Sequence, residues 1–107
     1  MKFRAPFFVL STVALVTMTS CEDPAPAEVK YSQVADVMSL NCVSCHSGSN
    51  PADGLSLTTY EEVKSAYENN GLMSRVNSST NPMPVSGRMD KATRDLLQDW
   101  EDGGFLQ

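Results

Sequence analysis

The sequence predicts a small all-α domain with three or four short helices joined by long loops. Residues 31–38 and 93–100 carry the strongest signal, because their mostly apolar side chains recur at i, i+3, i+4 and i+7, the spacing of one helix face. No segment alternates apolar and polar residues over the length of a strand. The chain has 107 residues, of which 41% are hydrophobic, so we expect one domain with a thin core.

The first two predicted helices are separated by a polar loop. The first helix covers residues 31–41, with its apolar face on one side. Thr58 and Thr59 each stand three residues before a glutamate, which is the spacing of a capping box at a helix start. The second helix follows them and ends at residues 69–71, where a glycine favours a C-cap.

The second half of the chain begins with a short helical turn at residues 72–76. Residues 78–84 contain two prolines and therefore cannot form regular helix. Asp90 is a good N-cap for the last helix, and glycines 103–104 end it.

The charge balance is acidic, with 13 acidic and 8 basic side chains and a net charge of -5. Nucleic-acid binding needs clustered lysines and arginines, so this composition argues against it. The chain has no paired carboxylates, phosphate-binding glycine loop or Ser-His-Asp set, and we expect no enzyme. The acidic surface either attracts a partner with a basic patch or only solvates the protein, and the sequence leaves both interpretations open.

Residues 1–20 have the features of a bacterial lipoprotein signal peptide. Lys2 and Arg4 precede an apolar stretch at residues 7–18, which is too short to span a bilayer as a helix. Met-Thr-Ser then precedes Cys21, in a pattern that resembles a lipobox with an acylated cysteine. The alternative is an ordinary secretory leader that leaves Cys21 as a free thiol. Either interpretation predicts an exported protein.

The segment 21–29 is predicted to be a flexible acidic and proline-spaced tether, followed by a domain at residues 30–107. Acylation of Cys21 would anchor the protein to a lipid membrane in the cell envelope, facing the periplasm or the cell surface. The acidic residues directly after Cys21 resemble the surface-export signal of some Bacteroidetes lipoproteins.

The segment Cys42-Val43-Ser44-Cys45-His46 has the pattern C-x-x-C-H, which attaches haem covalently. Two thiols at this spacing reach the two vinyl groups on one porphyrin edge, and the adjacent His46 ligates the iron. A thioredoxin-like dithiol would need strands, a zinc site would need four ligands, and a Cys42–Cys45 disulfide would leave His46 unexplained. We therefore predict one haem c bound through Cys42, Cys45 and His46.

A second axial ligand, if the iron has one, is expected to be a methionine, because His46 is the only histidine in the chain. Met83 lies 37 residues after His46 between two prolines, which hold the backbone extended. Met73 is a reserve candidate. The alternative is that Met83 only fills a gap in the haem pocket. Two further methionines are better explained by packing: Met38 and Met89.

These motifs together resemble a class I c-type cytochrome, and within that class the short haem domains common in Planctomycetes and Bacteroidetes. The resemblance covers about residues 31–105. The segments that carry it are the haem motif at 42–46, Gly54–Leu57 with the capped second helix, Met83-Pro84, and the last helix with Trp100 and Gly103-Gly104.

The resemblance implies a small class I cytochrome c fold in which the first and last helices cross. The side chains expected near the crossing are Tyr31, Val34, Leu97 and Trp100. Mitochondrial-type relatives have Gly-Pro before the leucine that follows the haem motif, whereas Pro51 is here separated from Gly54-Leu55. The carbonyl that accepts a hydrogen bond from the His46 ring is therefore left open, although such an acceptor is expected.

The functional expectation is a membrane-anchored carrier of single electrons with redox proteins as donor and acceptor. If Met83 does not bind iron, the alternative is a haem protein with an open or labile sixth site, such as a peroxidase-like protein or a gas-ligand sensor. A third hypothesis is a structural lipoprotein in which the two motif cysteines form a disulfide. Arg75 and Arg88 either pair with the haem propionates or are ordinary exposed arginines.

Overall fold

The computed structural model describes residues 27–107, and these form a helical globule without strands. Four α-helices follow one another along the chain, and a short 3-10 turn, Ala52–Gly54, lies between the first two. The helix bounds are α1, Tyr31–Asn41; α2, Tyr60–Asn69; α3, Leu72–Asn77; and α4, Lys91–Asp102. The prediction of an all-α domain with three or four short helices is confirmed.

The start of α2 shows the predicted capping box. Thr59 Oγ1 accepts a hydrogen bond from the Glu62 amide at 3.3 Å, and the Glu62 carboxylate accepts from the Thr59 amide at 3.1 Å. The same carboxylate accepts from the Thr58 amide and hydroxyl, both at 2.8 Å. These hydrogen bonds hold the pKa of Glu62 below its ordinary value, and the bond from the Thr58 amide has the largest effect.

The core is built where α1 packs against α4. Val34, Leu97 and Trp100 are fully buried, and Trp100 donates from Nε1 to the Leu106 carbonyl at 2.8 Å. The Tyr31 amide donates to the same carbonyl at 2.9 Å, so the C-terminal segment is fastened to the beginning of α1. Four aromatic rings surround Trp100 at centroid distances between 4.9 and 5.9 Å: Tyr31, Tyr60, Tyr67 and Phe105.

Two details differ from the simplest sequence expectation. Asp90 precedes α4, but its side chain makes no capping hydrogen bond; only its carbonyl is engaged, by the Arg94 amide at 3.2 Å. Val29 lies within the predicted tether yet is only 4% exposed, because it packs in the hydrophobic core. The packed part of the chain therefore includes Val29.

The predicted signal peptide, residues 1–20, and the predicted lipid-attachment residue Cys21 lie outside the described residues, as do residues 22–26 of the tether. Within residues 27–107, every helix is too short or too polar to cross a bilayer.

Candidate functional site

One large cavity, of about 570 Å³, opens between the end of α1, α3 and the loop that follows α3. This volume lies within the range of about 300–1,000 Å³ that is usual for ligand pockets. The walls come from the segments 40–46, 52–57 and 83–86, together with side chains of α3 and Leu97 of α4. All four site residues that the sequence predicted within the described chain line it: Cys42, Cys45, His46 and Met83.

The motif segment continues from α1 as a tight turn. The Cys42 amide donates to the Met38 carbonyl at 2.8 Å, and the His46 amide donates to the Cys42 carbonyl at 2.9 Å. The turn brings both motif cysteines to the cavity wall as free thiols, with Cys42 half-buried and Cys45 exposed. Burial raises the pKa of the Cys42 thiol, which favours its protonated form.

His46 is held in a fixed orientation at the cavity wall. Its side chain is buried, and its Nδ1 lies 2.9 Å from the Leu55 carbonyl oxygen. A carbonyl only accepts, so Nδ1 carries the hydrogen and Nε2 is left with a lone pair for a ligand. The segment after the motif supports this arrangement, since the Leu57 amide donates to the His46 carbonyl at 2.9 Å. The carbonyl that the sequence left open is therefore that of Leu55.

The described methionines separate into two pairs. Met83 and Met38 line the cavity, whereas Met73 and Met89 pack against the hydrophobic core outside it. Met38 is 2% exposed and belongs to α1, directly before the motif. Met83 belongs to the loop after α3, and its amide donates to the Arg75 carbonyl at 3.2 Å. Met83 is therefore the cavity-lining methionine that the fold brings in from a part of the chain distant from the motif.

Arg75 is a functional candidate that sequence analysis left undecided. Its side chain lines the cavity, and its Nε is buried without a hydrogen-bond partner among the described residues. Its Nη2 lies 3.5 Å from Asn81 Oδ1, at the limit of hydrogen bonding. The sequence does carry a signal for the position of Arg75: its spacing from Leu72 and Val76 places all three on one helix face. Both apolar side chains are buried in the structure. Arg88 is exposed and does not line the cavity.

Among residues 27–107, no three side chains of the His, Cys, Asp and Glu types come together to hold a metal ion.

Comparisons with known proteins return no matching family model, curated protein or solved structure.

Proposed function

We propose that the protein is an exported, membrane-anchored c-type cytochrome that carries single electrons on one covalently attached haem. Cys42 and Cys45 would hold the haem through thioether bonds, and His46 and Met83 would ligate its iron. The observation that carries the proposal is that all four side chains line one cavity of about 570 Å³.

The chemistry of the cavity wall fits a flat, largely apolar group with acidic substituents. Leu57, Leu72 and Leu97 are buried side chains that line it, so apolar rings would contact apolar surface there. The unpartnered Nε of Arg75 requires an acceptor, because a buried polar group without one costs about 1–3 kcal/mol. A haem propionate is an acceptor of the right charge. The residues present therefore fit the cofactor.

When bound, the haem supplies an iron centre that changes its charge by one electron. Cys42 and Cys45 would hold the group by covalent bonds, so that it could not dissociate. The Leu55 carbonyl keeps the His46 ring in the tautomer and orientation that present Nε2. Met83 would supply the second iron ligand, a thioether, which raises the reduction potential relative to a second imidazole. With His46 and Met83 both bound, no position on the iron would be left for a substrate.

We also propose that the helices form a small class I cytochrome c fold. It is supported by the packing of α1 against α4 and by the contact between Tyr31 and Trp100, whose ring centroids are 5.8 Å apart. Export and the lipid anchor at Cys21 rest on the sequence of residues 1–21. The anchor would restrict diffusion to a membrane surface in the cell envelope, where respiratory or extracellular redox proteins serve as donor and acceptor.

The position of Met83 supports a second candidate function, which is a haem protein with an open or labile sixth site. Met83 is only half-buried, and it lies in a loop without helix between α3 and α4. Its amide is held by one hydrogen bond, to the Arg75 carbonyl. A loop anchored in this way could release the thioether and admit a peroxide or a gas.

Absorption spectroscopy with carbon monoxide separates the two functions. The holoprotein should show a low-spin spectrum, and its reduced form should bind carbon monoxide slowly or not at all. Met83→Ala should open the sixth position and bind carbon monoxide readily. Met73→Ala is the matched control, because Met73 lies outside the cavity, and it should behave like the parent protein. Ready binding of carbon monoxide by the parent protein would favour the open-site alternative.

A further inference from the structure

All three tyrosines and the only tryptophan of the protein lie in one cluster. Trp100 is at its centre, and its ring centroid lies 5.3 Å from that of Tyr67. The centroids of Tyr31 and Tyr60 lie 5.8 and 5.9 Å from Trp100 and 5.4 Å from each other. Aromatic rings at these distances are in direct contact, so an electron can pass from one ring to the next. We call these four residues the aromatic chain.

One end of the aromatic chain touches the wall of the cavity. Tyr67 is buried, and its hydroxyl donates to the Leu97 carbonyl at 3.2 Å. The side chain of Leu97 is fully buried and lines the cavity. Tyr67 therefore lies between the cavity wall and the ring of Trp100.

The other end of the aromatic chain reaches the surface. Trp100 is fully buried, whereas Tyr31 and Tyr60 are half-buried. The Tyr60 hydroxyl donates to the Phe105 carbonyl at 2.8 Å. The Tyr31 hydroxyl has no hydrogen-bond partner among residues 27–107, and it is not enclosed by protein. Water can therefore reach the Tyr31 hydroxyl.

The phenol proton decides which tyrosine can stay oxidised. A tyrosine that loses an electron also releases its hydroxyl proton, and a backbone carbonyl accepts a hydrogen bond without taking up that proton. Tyr67 and Tyr60 are bonded in this way, whereas Tyr31 can release its proton to water. Partial burial raises the pKa of Tyr31, and the nearby carboxylates of Glu62 and Glu61 raise it further. These carboxylates stabilise positive charge while the proton leaves.

We propose that the aromatic chain carries an oxidising equivalent from the cavity to the surface at Tyr31 when hydrogen peroxide reacts with the iron. The proposal rests on the proposed function, because it requires the haem. The peroxide takes up two electrons and two protons, its O–O bond breaks, and two waters form. The ferrous iron supplies one electron and becomes ferric. Tyr31 supplies the other electron and one proton and becomes a neutral tyrosyl radical, and solvent supplies the second proton.

Electron paramagnetic resonance of freeze-quenched samples tests the proposal. The reduced Met83→Ala holoprotein is the background, because its open sixth position admits hydrogen peroxide under either candidate function. Peroxide should produce a tyrosyl signal, and spin trapping followed by peptide mass spectrometry should place the trapped adduct on Tyr31. The absence of a tyrosyl signal, or an adduct confined to Tyr60 or Tyr67, would overturn the proposal.

A matched pair of substitutions in the same background identifies the end of the aromatic chain. Tyr31→Phe and Tyr60→Phe each remove one hydroxyl from a half-buried ring that contacts Trp100. Tyr31→Phe should lose most of the tyrosyl signal, whereas Tyr60→Phe should keep it. Equal losses in the two variants would refute the assignment of the radical to Tyr31.

Trp100→Phe tests the connection between the cavity and Tyr31. It keeps an aromatic ring in the core but removes the readily oxidised indole, so the yield of adduct on Tyr31 should fall although Tyr31 is unchanged. A folded Trp100→Phe variant with an undiminished yield would contradict a relay through Trp100. Circular dichroism checks the fold, and if this variant does not fold, the two tyrosine variants decide the question. A sample without a haem spectrum would instead count against the proposed function, so the two failures are distinguishable.

Discussion

Arg75→Leu gives a prediction whose sign depends on whether the cavity holds an anionic group. Among residues 27–107, Arg75 Nε is buried without an acceptor, and the guanidinium makes one side-chain hydrogen bond, to Asn81 at 3.5 Å. If nothing else pairs with Arg75, leucine removes a buried unsatisfied donor and should leave the stability unchanged or increase it. If a haem carboxylate accepts from Arg75, the substitution breaks a charge-assisted hydrogen bond.

The magnitude follows from that hydrogen bond. Hydrogen bonds to charged groups contribute about 1.5–3 kcal/mol, so Arg75→Leu should destabilise the holoprotein by about 2 kcal/mol. In a domain of this size, about 1 kcal/mol corresponds to a shift of about 4–8 °C in the melting temperature. We therefore expect thermal unfolding, followed by circular dichroism, to move down by about 8–16 °C.

Arg88→Leu is the control for this experiment, because Arg88 is exposed and makes one long hydrogen bond, at 3.4 Å. An exposed substitution of this kind should change the free energy of unfolding by less than about 0.5 kcal/mol. An Arg75→Leu holoprotein as stable as the parent, or more stable, would refute the assignment of Arg75 to a haem carboxylate.

Three further predictions concern the core, the capping box and the haem attachment. Leu97→Ala removes a fully buried side chain shared by the core and the cavity wall, and should cost about 2–5 kcal/mol in urea unfolding. The lowered pKa of Glu62 contributes stability that is present above its unfolded pKa and lost as the pH falls through its folded pKa. Glu62→Gln should therefore flatten the acid limb of the stability profile, and an unchanged limb would contradict this. Cys42→Ala should give poorly folded protein that is degraded during expression, because the proposed haem would complete a thin core. Recovery of a well-folded, haem-free variant would count against this coupling.

Local chemistry in the sequence predicted the elements that depend on a few neighbouring residues. The capping box of Thr59 and Glu62 spans four positions, and the structure forms it. The helical faces of α1 and α4 were equally visible, because burial repeats with the helical period at Val34 and Met38 and again at Leu97 and Trp100.

Features that depend on tertiary packing could not be predicted in the same way. The acceptor for His46 is the Leu55 carbonyl, nine residues away, and its position is set by the course of an irregular segment. The partial burial of Arg75 depends on how α3 is rotated against the cavity. The full burial of Val29 depends on the packing of the segment before α1.

The central claim, covalent haem on Cys42 and Cys45, is tested most directly by the intact mass and the pyridine haemochrome spectrum of denatured protein, expressed with the haem-attachment machinery. We predict the mass of the processed, lipid-modified polypeptide plus one haem, with a spectrum typical of two thioether bonds. Cys42→Ala with Cys45→Ala should abolish both signals. A colourless protein, whose mass is that of the polypeptide and its lipid alone, would contradict the claim.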